Sequence, residues 1–207
     1  MPVPDDRLRA DALCVLGSWA APDEGQGRLR HAYLAHLIAH RDGLWRGCHP
    51  DHLTASALVV DAGGDRVLLT LHRRLDRWLQ TGGHCEPADV SLRAAAQREA
   101  TEESGITGLA VDPVPLRLDR HQVPCGPLRP AHHLDVQYLA LAPVDARERI
   151  GPESSALGWF APDHLPEPTD DRVRTLVAAA RQRLERRRLA QPSSVQDSPA
   201  ASETPSR

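Results

Sequence analysis

The chain has 207 residues, a formal net charge of −3 and 41% apolar residues. That length supports one domain with extensions and a real core, and the faint negative charge excludes bulk attraction to nucleic acid or to an anionic membrane. All 25 cations are arginines, a bias that reads chiefly as GC-rich coding. Cys14, Cys48, Cys85 and Cys125 lack any paired metal spacing, and no signal peptide or membrane-length apolar run accompanies them, so a reduced, cytoplasmic protein with no membrane partner is expected.

Two helices are predicted first, over 8–19 and 28–40, separated by the breaker-rich run 21–27. Leu29, Tyr33, Leu34, Leu37 and Ile38 make the apolar stripe of the second. His36 and His40 share one face of it without a third ligand, so these histidines, with His31, read as solvated or core-edge side chains. Residues 1–50 form a helical extension that either packs on the next domain or makes a homodimer contact. Strands follow: 54–60 and 66–71 read as a hairpin around the turn 61–65, and 78–81 leads into Gly82. A helix is expected over about 90–104, N-capped by Asp89 or Ser91, favoured by Ala94, Ala95 and Ala96, and C-capped at Gly105. Residues 109–111 and 115–118 read as short strands, 122–130 as a loop and 133–141 as an alternating strand. A final helix over 170–189 ends in Arg183, Arg186, Arg187 and Arg188, which suit a helix C-terminus. The Ser- and Pro-rich residues 191–207 are expected to be disordered.

The helix after Gly83 carries the chemistry. Leu92, Ala95, Ala96, Glu99, Glu102, Glu103 and Ile106 recur at helical spacing, which sets three carboxylates in an arc that begins as core, with Arg93, Gln97, Thr101 and Ser104 on the wetter side. Carboxylates this close repel by up to about 4 kcal/mol per pair at an effective dielectric near 20 unless a cation intervenes. Oxygen-only clusters suit hard dications such as Mg2+ or Mn2+. Cys85, just ahead of them, reads as a small buried hydrophobe.

The run Gly82, Gly83, His84, Cys85, Glu86, Pro87, Ala88, Asp89, then Arg98-Glu99-Ala100-Thr101-Glu102-Glu103-Ser104-Gly105-Ile106, resembles a Nudix box. Every fixed position from Arg98 to Ile106 matches. Two departures precede them: Asp89 stands where the family pattern has Glu, and eight residues rather than seven separate it from Arg98. These departures bear on the pairing of Arg98 with the first acid and leave the metal turn intact. The resemblance covers roughly 52–190 and implies an α/β/α sandwich around a mixed β-sheet, in which residues 159–165 resemble the closing stretch of many Nudix domains.

The implied chemistry is metal-dependent hydrolysis of a pyrophosphate linkage in a nucleoside diphosphate joined to another group. By the family pattern Glu99, Glu102 and Glu103 hold Mg2+, or Mn2+, with help from a carbonyl of the Gly82–Gly83 loop, Gly83 above all, and Glu86 is a candidate outer ligand. Arg98 orients the acids. Glu103 and the loop residue Glu153 are the candidate general bases. Gly82 and Gly83 allow close backbone approach to metal or phosphate, and His132 and His133, placed before a strand, are candidates for contacting substrate. The partner is then a small nucleotide or other diphosphate. Two alternatives differ in kind: a non-catalytic nucleotide-binding Nudix module, disfavoured because all three box glutamates are present, and an isopentenyl diphosphate isomerase of Nudix fold, which Cys48-His49-Pro50 resembles only faintly.

Overall fold

A computed structural model describes residues 7–47, 50–123, 130–152 and 154–190. Expectations placed on Cys48, Cys125, Glu153 and 191–207 lie outside the described residues.

Helices α1 (Arg7–Ser18) and α2 (Glu24–Ala39) come first. α2 starts earlier than expected and absorbs Gly25 and Gly27, because the Asp23 carboxylate caps it by accepting from the Gln26 N–H at 2.8 Å. Of the predicted stripe, Tyr33 and Leu37 are buried and Leu29 and Leu34 pack at the core edge, but Ile38 is 70% exposed. The ring of His36 and that of the C-cap residue His40 are tilted by 38° with centroids 4.8 Å apart, and His36 Nε2 sits 3.3 Å from the Gly43 carbonyl.

One curled mixed sheet follows, with β1 (Asp51–Val60) at its centre. Its long partner is β7 (Ala131–Leu141), which runs parallel from Asp51 opposite His132 to Val60 opposite Leu141. On the other edge, β2 (Val67–His72) pairs with β1 only at Val59 and Val60, then diverges to take β3 (Arg77–Leu79) and β8 (Ser154–Phe160). The edge of β1 so released is taken by β4 (Thr81–His84), with Thr54 opposite His84 and Ser56 opposite Gly82. The glycines expected in a loop therefore lie in a strand. Helix α3 (Leu92–Ser104) comes next, then β5 (Ala110–Val111) and β6 (Arg117–Val123), both paired with β7. β6 runs further than expected, into Val123, and β7 starts early enough to include His132 and His133. Helix α4 (Asp171–Ala190) closes the described chain.

Alternation along the strands builds two cores. Leu53, Ala55 and Ala57 of β1, with Val136 and Tyr138 of β7, face α3 and the N-terminal helices. Leu58, Val60, Leu69 and Leu139 face Val173, Leu176 and Val177 of α4. The result is the expected α/β/α layering. α1 and α2 share the first core, and Trp19 Nε1 and the Tyr33 hydroxyl fasten them by donating to the carbonyls of Pro115 and Asp119 at 2.9 and 2.7 Å. Among the described residues no helix is long and apolar enough to cross a membrane.

Candidate active site

Two glycines set how closely strand and helix approach. At Gly82, φ is +153° and an added Cβ would fall 2.2 Å from the Ser56 Cβ, so only glycine lets β4 lie against β1 there. At Gly83 a Cβ would fall 2.7 Å from the carboxylate of Glu99. α3 is aimed at this strand by its caps: Ser91, not Asp89, accepts from the Ala94 N–H, and Gly105 takes the left-handed conformation at φ 69°.

The acids do not occupy the core stripe. Leu92, Ala95, Ala96, Ala100 and Ser104 do, and Ser104, expected on the wet side, is fully buried with its hydroxyl donating to the Ala100 carbonyl. Glu99 lies on the flank towards Gly83 with 15% side-chain exposure, whereas Glu102 is 59% exposed and Glu86 58%. Glu103 accepts from the Gly82 N–H at 3.3 Å. The carboxylates therefore line a helix edge rather than a buried nest.

Arg98 holds this edge together. Its Nε and Nη2 donate to the two oxygens of Asp89 at 3.1 and 3.0 Å, Nη2 also donates to the His84 carbonyl at 2.9 Å, and Nη1 donates to Glu99 at 3.0 Å and Glu102 at 3.3 Å. Glu86 stands farther off, 3.9 Å from Nη1. The pairing with the first acid thus survives both departures from the family pattern. Asp89 reaches Arg98 because it closes a tight turn, accepting from the Glu86 N–H at 2.8 Å while its own N–H donates to the Glu86 carbonyl at 2.9 Å. Hydrogen bonds to Asp89, with the charge of Glu99, push the Arg98 pKa above its already high usual value. Beside it the Cys85 thiol, 6% exposed, is pushed up to about 12 by burial and by Asp89, which makes it inert.

Glu99 and Glu103, one turn apart and turned towards Gly82 and Gly83, fit a hard dication. Their donors are oxygens, and the space a Cβ would fill at Gly83 lies directly against Glu99.

Glu103 borders a cleft of about 540 Å3. Gly82, Gly83 and Glu103 form one wall, Arg77 and Arg172 stand in another, and the floor is the polar end of the sheet. There the parallel register of β1 and β7 sets His52 beside His133, Thr54 beside Asp135 and Ser56 beside Gln137. Asp135 accepts from Thr54 at 2.9 Å, Ser56 at 2.6 Å and Gln137 at 3.0 Å, and burial raises its pKa against the pull of His121 and these hydrogen bonds. His133 faces the cleft; its neighbour His132 does not line it and pairs instead with Asp51 at 2.9 Å and Arg120 at 3.1 Å. Sequence reasoning missed His52, Thr54, Ser56, Asp135 and Gln137. The available signal was a polar residue at every second position of two strands that are otherwise apolar.

Residues 50–180 match the sequence model of the family described as NUDIX domain. The chain belongs to the Nudix family. Nudix hydrolases act on pyrophosphate bonds, and the chain is an enzyme of that class. Its fold is similar to that of a NUDIX-family hydrolase from Clostridium perfringens, at 23% identity and TM-score 0.54 over 64% of this chain and 97% of that one. It is also similar to the NUDIX domain of Shewanella oneidensis NrtR complexed with ADP ribose, at 22% identity and TM-score 0.54 over 72% and 97%. A C. elegans Ap4A hydrolase gives 16% identity and TM-score 0.50 over 64% and 97%. A comparison with curated protein sequences finds no match.

Proposed function

We propose that this Nudix protein is a cytoplasmic, metal-dependent hydrolase that cleaves the pyrophosphate linkage of a nucleoside diphosphate derivative. The observation that carries the reading is the convergence of Glu99 and Glu103 on the Gly82–Gly83 backbone, where Glu103 and both glycines line a polar cleft. Mg2+, or Mn2+, would be held by Glu99 and Glu103 with a Gly82 or Gly83 carbonyl, and by Glu102 and Glu86 at the wetter edge. When bound it would withdraw charge from phosphoryl oxygens and acidify water. Arg98 is a positioning residue that fixes Glu99 and Glu102. Glu103, half-buried at the cleft wall, is the first candidate to accept a proton from attacking water, and Glu153 is the second, from sequence. Arg77 and Arg172 supply cationic partners for phosphate, and the polar floor from Thr54 to Gln137, with His133, offers hydrogen bonds to the rest of the substrate. The nucleotide named with two of the structural neighbours, ADP ribose and Ap4A, supports a substrate of this type.

A panel of nucleoside triphosphates, dinucleoside polyphosphates, ADP-ribose and nucleotide sugars with Mg2+ or Mn2+ tests the proposal. Turnover of at least one is expected, and Glu99→Gln and Glu103→Gln should each lower it well over tenfold, at about 1.4 kcal/mol of barrier per decade, without loss of fold. Tight nucleotide binding with no turnover across the panel would instead identify a non-catalytic reader.

A further inference from the structure

Three imidazoles meet at the floor of the cleft, from residues far apart in the chain. Strand register brings them there: His52 on β1 stands opposite His133 on β7, and His84 ends β4 opposite Thr54. Ring centroids are separated by 5.1 Å for His52 and His84, 4.9 Å for His52 and His133, and 5.0 Å for His84 and His133. One ring nitrogen from each can be chosen so that all three lie within 4.8 Å of one another. His52 is 1% exposed and the other two are half-buried.

Rings packed this closely cannot all carry charge. Each imidazole brings a ring nitrogen able to bind a metal. His133 Nε2 is buried and has no hydrogen-bond partner. Neutral imidazole nitrogens are poor ligands for Mg2+ and good ones for zinc-class ions. Tetrahedral bonds of 2.0–2.1 Å require nitrogens about 3.3 Å apart, so the rings would have to close further on a bound ion. Arg46 adds positive potential nearby, and Asp135 is next along the same face of β7.

We infer that His52, His84 and His133 form a binding site for one divalent transition-metal ion of the zinc class. Because His84 and His133 line the cleft, a remaining coordination position opens to it, the pattern of three protein ligands seen when zinc meets water or substrate. The site is separate in ligands and in metal preference from the oxygen set of Glu99 and Glu103, and its existence does not depend on hydrolysis.

The test is cobalt titration of the untagged, full-length, chelator-stripped protein in excess Mg2+, read by visible absorption. One Co2+ per chain is expected, with the d–d bands of a nitrogen-ligated four- or five-coordinate ion, displaced by Zn2+. His133→Gln and His84→Gln should each weaken binding at least tenfold while the Glu99→Gln/Glu103→Gln double variant keeps it. Absence of the bands, their persistence in both histidine variants, or their loss in the glutamate variant would overturn the inference. Each variant's melting without metal establishes its fold. X-ray absorption of the zinc-loaded, unaltered protein is independent of any substitution: three imidazole ligands support the site, and an oxygen-dominated shell refutes it.

Discussion

Arg98 serves two purposes with one guanidinium: it grips Asp89 at the turn before α3 and it spaces Glu99 and Glu102 along the helix edge. Only a planar fork with several fixed N–H groups can do both. Arg98→Lys should therefore behave as a loss rather than a conservative change. Asp89, with 5% side-chain exposure, would be left short of partners, lowering stability by about 2 kcal/mol in urea unfolding; kcat should fall at least tenfold as Glu99 and Glu102 lose their spacing. Unchanged kinetics with the same loss of stability would confine Arg98 to a structural role. At this scale much was legible. The box glutamates, Arg98 and the glycines were readable because their spacing is local, three and four residues along one helix. Ser104 was misplaced because a serine hydroxyl can satisfy itself on the carbonyl four residues back and so enter the core. His52 and Asp135 were illegible, since nothing within either strand says that the two polar faces meet.

The elements show why the helices at the N-terminus belong with the sheet. β6 pairs with β7 along one edge, and at Leu118 its other edge is met by a side chain: Gln26 of α2 donates from Nε2 to the Leu118 carbonyl at 3.0 Å and accepts from its N–H at 2.7 Å. A single amide thus substitutes for a paired strand. Gln26→Ala would leave both buried backbone groups unsatisfied, and a loss of about 2 kcal/mol is expected in chemical denaturation, together with faster hydrogen exchange at Leu118. Exchange unchanged at that amide would show the contact to be dispensable. Helix positions were foreseeable from periodicity and caps. Strand partners were not: the expected hairpin exists at only two register pairs, because β2 leaves β1 for β8, and β4 and β7 occupy the rest of β1.

For the molecule as a whole, the absence of lysine simplifies alkaline behaviour. The two tyrosines, Tyr33 and Tyr138, are both fully buried. Burial, then Asp135 and Asp119, raises the Tyr33 pKa well above its usual range, and burial with Asp11 raises that of Tyr138. Unfolded phenols titrate near pH 10. Above that pH the unfolded chain releases protons that the folded chain retains, so the tyrosines' contribution to stability is intact below about pH 10 and falls as pH rises beyond it. Tyrosinate absorbance should stay flat through pH 10 and then climb in step with loss of helical circular dichroism; gradual ionisation centred near 10 in folded protein would contradict this. The parallel alignment of β1 with β7 has a further consequence, for birth on the ribosome. Thr54 and Asp135 are 81 residues apart, so at about 5–20 residues per second the central strand waits roughly 4–16 s for its mate. Through that interval an apolar ribbon travels with its hydrogen-bonding edge bare, and whatever shelters nascent chains would have its greatest effect on the yield of this enzyme.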